Sequence, residues 1–531
     1  MKQIIIRCDA SNLIGTGHVM RCRTLARRLR QRDADITFIC RCQDGDLITL
    51  LEEEFKVLTL SHQKISKNID NKNRPSKNQE LYNTWLGCTQ EIDAMQTIQA
   101  LRDNIKTNVQ WLIVDHYGIG KEWELCLRNY LQKQEPLFRI LVIDDLANRC
   151  HDADIILDQN LSDDATESRY QELVTSSCLK LIGPQYALMN PEYAALRELT
   201  PNRNDLQRIL IFFGGIDNFG LTFKTLRALN TARFSHLAID IVVSMKSLNY
   251  SDVVKLADQR PKTTIYSSLP SLACLMVRAD LAIGAGGTTT WERACLRLPT
   301  FIVSVAENQI AASKALDKYG FIKFLGTHKN VDETDISSAV DSWENKKMAF
   351  VSGEYLTDGY GADRIAIALT GYSNAIYLRD TNTSDEALLL RWANDSSVRA
   401  VSLNRNNISM EQHHSWFENS LLNPDRIHLI AVTRDNAPIG QIRFDRLPDS
   451  SSVRLSFSLD KAVRGQGLAV PFIRAALNAL QQRWGDDIEV FAEVLSENHA
   501  SQACFARSRF QQKPSEVVGL TIWQWHPMQD P

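Results

Sequence analysis

No C-x-x-C pair occurs among the 11 cysteines, which are odd in number and scattered from Cys8 to Cys504. That absence argues against both a zinc ribbon and a disulfide framework. There is no basic excess either. The 60 Lys and Arg stand against 63 Asp and Glu, a formal net charge of −3, whereas a nucleic-acid-coating protein carries a basic surplus or stripe. No stretch approaches 18 apolar residues, so no membrane span is expected. The opening run from Met1 to Asp9 is too short for the apolar region of a signal peptide, and a reducing cytoplasm is the predicted location. What remains is an ordinary globular composition, 44% hydrophobic and 23% charged over 531 residues. At roughly 150 residues per domain this length predicts three or four domains.

Short apolar runs alternate with longer helix-patterned segments up to about Pro191. Residues 4–8, 36–40, 111–114, 139–143 and 155–157 read as strands, and buried strands alternating with helices predict a doubly wound parallel α/β sheet. The polar stretch 61–78, rich in Lys, Asn and Ser, reads as a surface loop or insert. After the polar residues 200–205 the alternation resumes with strand patterns at 209–213, ending in Gly214 and Gly215, then at 239–243, 264–266, 281–283 and 300–303. Residues 1–198 and 199–370 thus form two Rossmann-like halves, and ligands of such sheets sit outside the carboxyl ends of the strands. The pattern changes near residues 371–374. Residues 375–531 open with a strand and a helix, then carry consecutive strand patterns at 427–432, 439–444 and 453–459, a helix from about Val470, a strand at 488–494 and a last helix and strand. Strands without intervening helices predict antiparallel pairing and a mixed α/β domain.

The densest chemical signal is Arg7-Cys8-Asp9-Ala10-Ser11 followed by Ile14-Gly15-Thr16-Gly17-His18-Val19-Met20-Arg21. A strand delivers the chain into a glycine-rich turn and a helix begins near His18, so backbone N–H groups face whatever binds there. Many such turns need glycine for geometry alone. His18 adds to the signal, because the positive end of a helix dipole disfavours imidazolium and leaves a neutral ring able to accept a proton. By themselves these residues leave open a catalytic base, a structural histidine or a substrate contact. The loop Val114-Asp115-His116-Tyr117-Gly118 follows a strand with three side chains able to orient a polar substrate. In the second half, Gly284-Ala285-Gly286-Gly287-Thr288-Thr289-Thr290-Trp291-Glu292 opens a helix. Its N–H and O–H donors suit a diphosphate, and Glu292 could accept from ribose hydroxyls. A tight junction with a capping threonine is the alternative. Asp115-His116 and Asp144-Asp145 come nearest to a metal-ligand cluster, and no metal is expected.

Together with Trp85-Leu86-Gly87, Ile143-Asp-Asp-Leu-Ala-Asn-Arg149, Leu157-Asp-Gln-Asn160, Gly183-Pro-Gln-Tyr-Ala-Leu188, Phe213-Gly-Gly215 and Glu307-Asn-Gln309, these motifs resemble the UDP-sugar hydrolases of pseudaminic acid biosynthesis over roughly residues 1–345. That family hydrolyses UDP-2,4-diacetamido-2,4,6-trideoxy-β-L-altropyranose and is similar to type-B glycosyltransferases, with water in place of the acceptor. The resemblance implies two Rossmann-like lobes of the glycosyltransferase type-B kind. It makes His18 the general base or water-orienting group and gives Tyr117 and Asn308 to the sugar or the water. It also implies that Gly15, Gly17, Arg21, Gly214, Gly215, Gly286, Gly287, Thr288, Thr289, Glu292 and Gln309 bind the UDP-sugar.

In the last domain, Val463-Arg464-Gly465-Gln466-Gly467-Leu468-Ala469 lies between a strand and a helix, where successive N–H groups can meet a pyrophosphate. With the antiparallel strands before it and Glu497-Asn498 after it, this segment resembles the GCN5-related N-acetyltransferases over about residues 375–528. The resemblance implies acetyl-CoA as acyl donor along splayed strands, held by Leu459, Arg464, Gly465, Gln466, Gly467, Leu468 and Ala469, with Asn498 near the pantetheine arm. One position departs from the family, since Phe505 stands where a tyrosine often protonates the leaving thiolate. Ser458 and Glu493 flank the implied acetyl site and either orient an amine or are satisfied strand surface. Arg391-Trp392, Asn394-Asp395 and His413-His414-x-Trp416 resemble acetyltransferases that act on amino sugars, although the aromatics equally suit a core. The two resemblances together imply a bifunctional enzyme. It would N-acetylate the C4 amine of UDP-4-amino-4,6-dideoxy-β-L-AltNAc and hydrolyse the product to free sugar and UDP. The alternative keeps the hydrolase and gives the C-terminal domain another acyl group, another acceptor or a non-catalytic binding role. The implied partners are a UDP-linked 6-deoxy amino sugar and acetyl-CoA, without nucleic acid or membrane.

Overall fold

The computed structural model describes residues 2–61, 82, 84–106, 108–161, 168–267, 269–372, 375–448 and 451–527. Apart from Ser61, the polar stretch 61–78 lies outside the described residues. The chain divides into two compact units, Met1–Ala362 and Asp363–Pro531.

The first unit holds two parallel sheets. Strands β1 (Lys2–Cys8), β2 (Ala34–Arg41), β3 (Lys56–Leu60), β4 (Val109–Asp115), β5 (Arg139–Ile143), β6 (Ile155–Asp158) and β7 (Leu179–Ile182) lie in the order β3-β2-β1-β4-β5-β6-β7. Strands β8 (Arg208–Phe212), β9 (Ala238–Val242), β10 (Thr263–Tyr266), β11 (Leu281–Gly284), β12 (Thr300–Ser304) and β13 (Lys323–Thr327) lie in the order β10-β9-β8-β11-β12-β13. Helices cover both faces, so the central strands are apolar almost throughout. In β1, for example, every residue after Lys2 is buried. Each sheet reverses its strand order once, between β1 and β4 and between β8 and β11, and such a reversal opens a crevice at the carboxyl ends. These four ends carry the loops of residues 9–16 and 115–118, Gly214-Gly215 and 285–287.

A buried ionic network fixes the root of the first loop. Arg7, fully buried near the end of β1, donates to Asp9 at 2.5 Å and to Asp93 at 2.7 and 3.2 Å. Asp93 also accepts from Arg41 at 2.7 Å and from Trp123 Nε1 at 2.9 Å. One carboxylate on the helix Gln90–Asn104 therefore ties β1 and β2 to that helix. Burial opposes its ionisation, but the two arginines prevail and hold Asp93 well below the usual carboxylate range.

The second unit has one mixed sheet. Its strands β14 (Tyr377–Asp380), β15 (Arg426–Val432), β16 (Pro438–Arg446), β17 (Ser452–Leu459), β18 (Glu489–Leu495), β19 (Gln511–Lys513) and β20 (Leu520–Trp525) run in the order β14-β15-β16-β17-β18-β20-β19. All neighbours are antiparallel except β17 and β18, which the helix Ala469–Trp484 connects. Phe472, Ile473, Ala476, Leu477 and Leu480 recur at helical spacing along that helix and pack on Leu429, Ile442, Phe444 and Leu455 of the sheet. Fully burying such a side chain contributes about 1.5–3 kcal/mol. Pairing between β17 and β18 is confined to Ser452–Arg454 against Glu489–Phe491. Beyond these residues the two strands part, leaving a splayed edge towards Leu459.

Candidate active sites

In the first unit, His18 lies in the first turn of the helix Gly17–Arg30, beside the end of β4. Its Nδ1 is 2.6 Å from Asp115 Oδ1. An ionised carboxylate only accepts, so Nδ1 carries the hydrogen, and in the neutral ring the lone pair is the one on Nε2. Arg21, three residues on and thus on the same helix face, donates to both Asp115 oxygens at 2.6 and 2.7 Å. Burial works against ionised Asp115, yet Arg21 and His18 outweigh it and keep the carboxyl well below its ordinary range. The remaining Arg21 nitrogen, Nη1, donates to Asp145 Oδ2 at 2.7 Å, and Tyr117 donates its hydroxyl to that same oxygen at 2.7 Å. The Tyr117 oxygen in turn accepts from Asn308 Nδ2 at 3.3 Å. Burial and Asp145 raise the Tyr117 hydroxyl far above its usual pKa, so it stays protonated. His18, Asp115, Arg21, Asp145, Tyr117 and Asn308 form one connected chain from the first sheet to the helix Asn308–Lys318 behind the second.

Several of the expected site residues are already held by protein partners. Arg21 was expected to contact the UDP-sugar, but Nε, Nη1 and Nη2 are all engaged by Asp115 and Asp145. His116 is buried, its Nδ1 accepts from the Gly118 N–H at 3.0 Å, and burial lowers its pKa to about 4. Asp115 is buried as well, and Tyr117, itself 5% exposed, is the residue of this loop that reaches Asn308 in the second half. Asp144 accepts from Arg149 at 2.8 Å and from Tyr170 at 3.0 Å. Among the described residues no group of three or more His, Cys, Asp or Glu could hold a metal ion.

Across the crevice, Gly287 adopts φ +112°, a backbone region that side chains rarely enter, and turns the chain into the helix Thr288–Cys295. No side chain caps that helix, so its first N–H groups can meet an anion. A Cβ on Gly215 would lie 3.6 Å from Thr16 Oγ1, which places the Gly214-Gly215 turn opposite the loop of Gly15 and Gly17. Gln309 braces the junction, since its Oε1 accepts from the Val305 N–H at 3.0 Å. Glu292 is desolvated, and burial raises its pKa to about 7 although a hydrogen bond from Tyr193 works the other way.

In the second unit, Arg464 Nε donates to Leu459 O at 2.9 Å, and Nη1 reaches Asp395 at 3.2 Å and the Ser397 hydroxyl. Arg464 and Leu459 thus shape the loop from within. Gly465 and Gly467 have φ +74° and +77°, with nothing within 4 Å of where a Cβ would stand. Gln466 anchors to Ala368 O at 3.3 Å. Leu468 and Ala469 begin a helix without a side-chain cap, so the loop ends in an open cradle of N–H groups beside the splayed strands. These residues fit a pyrophosphate. Asn498 Oδ1 caps the helix His499–Arg507 by accepting from the Ser501 N–H at 3.1 Å. Ser458 accepts from Gln441 at 3.2 Å, and Glu493 lies 3.8 Å from Arg454. Phe505 is 2% exposed and packs against Phe457, Phe510 and Trp523. Trp392 and His413 are likewise buried, whereas partly buried Trp416 has Arg426 and Arg443 over its ring.

Residues 375–511 match the Acetyltransferase (GNAT) domain family. Over 319 residues, 60% of this chain and 97% of its counterpart, the sequence is 24% identical to the UDP-2,4-diacetamido-2,4,6-trideoxy-β-L-altropyranose hydrolase of Campylobacter jejuni. It is 24% identical over 460 residues to an uncharacterized protein of Methanocaldococcus jannaschii, covering 83% of this chain and 82% of that one. That span exceeds the first unit, so the likeness reaches into the second. MurG of Acinetobacter baumannii is similar over 70% of this chain and 100% of its own length, with 13% identity and a TM-score of 0.48. The chain is therefore homologous to a nucleotide-sugar hydrolase and carries a GNAT domain. At that level it is an enzyme of hydrolase and acetyltransferase kinds.

Asp145 is the functional-site residue whose connection the sequence did not show. It appeared only as half of an acidic pair, and nothing in its spacing points to Tyr117. The link between His18 and Arg21 was better marked, because a three-residue helical spacing puts both on one face beneath the strand end that carries Asp115.

Proposed function

We propose that the chain performs two consecutive steps on a UDP-linked 6-deoxy amino sugar. The second unit acetylates the C4 amine of UDP-4-amino-4,6-dideoxy-β-L-AltNAc with acetyl-CoA. The first unit hydrolyses the resulting UDP-2,4-diacetamido-2,4,6-trideoxy-β-L-altropyranose. The observation that carries the reading is the oriented imidazole of His18, held by Asp115 at 2.6 Å in the crevice. Support also comes from homology to the hydrolase and from the GNAT domain.

In the hydrolytic step His18 Nε2 takes a proton as the water oxygen bonds to the anomeric carbon. The bond from that carbon to the diphosphate oxygen breaks, and UDP leaves with the electron pair. Tyr117 and Asn308 hold the sugar or the water, and the uncapped N–H groups of the helix Thr288–Cys295 stabilise the leaving diphosphate. In the acetyl transfer the neutral amine nitrogen bonds to the thioester carbon, the C–S bond breaks, coenzyme A leaves as the thiolate with the electron pair, and the proton lost by the nitrogen reaches that thiolate through water. The cradle of Gly465, Gly467 and Ala469 holds the pyrophosphate of the donor.

Product analysis by mass spectrometry and NMR tests the reading, with the purified chain given the UDP-4-amino sugar with and without acetyl-CoA. Free diacetamido sugar and UDP that appear only with acetyl-CoA support both steps in that order. Hydrolysis of pre-acetylated substrate without acetyl transfer would leave the second unit with another acyl group, another acceptor or no chemistry. Gly467→Glu puts a side chain and a negative charge into the cradle, so acetyl transfer should stop while hydrolysis of pre-acetylated substrate continues. A parallel loss of both activities would count against separate sites.

The position of Phe505 gives a further expectation. Its ring is enclosed by aromatic core residues, so Phe505→Tyr should not raise the acetyl-transfer rate, and burying an unpartnered hydroxyl should cost about 1–3 kcal/mol in urea unfolding. A faster enzyme would show that this position reaches the thiolate. Glu292 supplies a pH signature. Its raised pKa means that the carboxylate, the better acceptor for ribose hydroxyls, forms only as pH rises through about 7. UDP affinity measured by calorimetry should therefore tighten between pH 6 and pH 8, and Glu292→Gln should flatten that dependence. A wild-type affinity that weakens over this range would remove Glu292 from the ribose contact.

A further inference from the structure

Two aromatic side chains beside the hydrolytic crevice have no part in the chemistry above. Trp85 stacks on Tyr117 with ring centres 5.8 Å apart and planes at 27°. Tyr82 meets Tyr117 edge-on at 5.4 Å and Trp85 at 5.0 Å. Tyr117 in turn meets His18 at 4.6 Å, so these rings continue outward from the imidazole.

The backbone is fitted to hold this wall. A Cβ on Gly118 would come 2.5 Å from Tyr82 O, so only glycine permits the approach. Gln43 Nε2 fixes Trp85 O at 2.9 Å. Tyr117 is 5% exposed, whereas Tyr82 and Trp85 are only partly buried.

We propose that Trp85 and Tyr82 form an apolar wall that selects sugars bearing methyl and acetamido groups over sugars bearing hydroxymethyl and hydroxyl groups. Aromatic faces accept C–H surface and offer a buried hydroxyl no partner. A 6-deoxy, diacetamido ring presents three methyl groups, while a hydroxymethyl pressed against the same wall loses its hydrogen bonds. One such difference in an apolar pocket discriminates by about 10–200-fold. This inference rests on the hydrolase reading above.

The test compares kcat/KM for UDP-2,4-diacetamido-2,4,6-trideoxy-β-L-altropyranose and for UDP-N-acetylglucosamine. The wild type should favour the first by at least about tenfold. Trp85→Ala should bring the ratio down about tenfold, mainly through the deoxy sugar, and Trp85→Phe should restore most of it. Affinity for UDP alone should stay unchanged in both variants, which a general loss of structure would not allow. If Trp85→Ala loses UDP binding, Tyr82→Leu decides in its place, supporting the wall if the ratio falls and overturning it if the ratio holds. An unchanged ratio in a Trp85→Ala protein that still binds UDP overturns the inference alone. A wild type that hydrolyses neither sugar overturns the hydrolase reading and the wall with it.

Discussion

His18→Ala is expected to lower UDP release from the diacetamido substrate by about 10²–10⁴-fold, the usual worth of a positioned general base, while acetyl transfer by the second unit keeps its wild-type rate. Asp115→Asn should cost a comparable factor for a different reason. The carboxylate at 2.6 Å accepts the Nδ1 hydrogen and so leaves Nε2 free for the water. An amide at the same place can present N–H to Nδ1, which favours the tautomer with its hydrogen on Nε2. Substrate KM should change less than kcat, because both residues act on the water and not on the uridine. Steady-state UDP release across pH 5–9 measures both variants. Unimpaired turnover in His18→Ala would remove His18 from the mechanism, and a normal Asp115→Asn would show that the tautomer is set elsewhere.

Asp93→Ala carries the largest expected loss of stability, about 3–5 kcal/mol, because it takes from buried Arg41 the carboxylate it pairs with and leaves buried Arg7 with Asp9 as its remaining carboxylate. Urea unfolding followed by tryptophan fluorescence reports it directly, since Trp123 donates to the same carboxylate. The pH dependence has a definite sign. Asp93 ionises more readily in the folded chain than in the unfolded one, so its contribution is complete above about pH 4 and is lost as acid is added below that. The Asp93→Ala protein should lack that part of the acid sensitivity. A loss below about 1 kcal/mol would mean that the two arginines find water or other partners when the carboxylate is removed.

Much of this architecture could be read from the sequence because central parallel strands are apolar on both faces. Runs such as Ile4-Ile5-Ile6 and Leu112-Ile113-Val114 leave little else to infer. The strands that escaped notice are β3, β7, β13 and β19, all at sheet edges. Edge strands are only partly covered, and sequences such as Lys323-Phe-Leu-Gly-Thr327 keep no strict pattern. The glycine turns of both crevices were equally legible, because positive φ and close approach restrict residue choice. Interactions between distant segments were not. Arg21 reads as a free cation until Asp115 and Asp145 are brought to it from 94 and 124 residues away. Phe505 likewise reads as a missing acid until its ring is seen inside the core.

If the first unit hydrolyses a UDP-sugar as proposed, the contact between Tyr117 and Asn308 makes that hydrolysis a test of coincidence. The imidazole is oriented from the first sheet, whereas Asn308 opens the helix Asn308–Lys318 of the second half, and one hydrogen-bonded chain runs through both. A free sugar or free UDP satisfies one half and leaves the other without a ligand. Fragments of the substrate should accordingly bind without turnover, and trimming the nucleotide should depress kcat as well as affinity. Under the proposed hydrolysis, water near the imidazole would then be harmless to the wrong molecule, because the reaction would need both ends of one ligand at once.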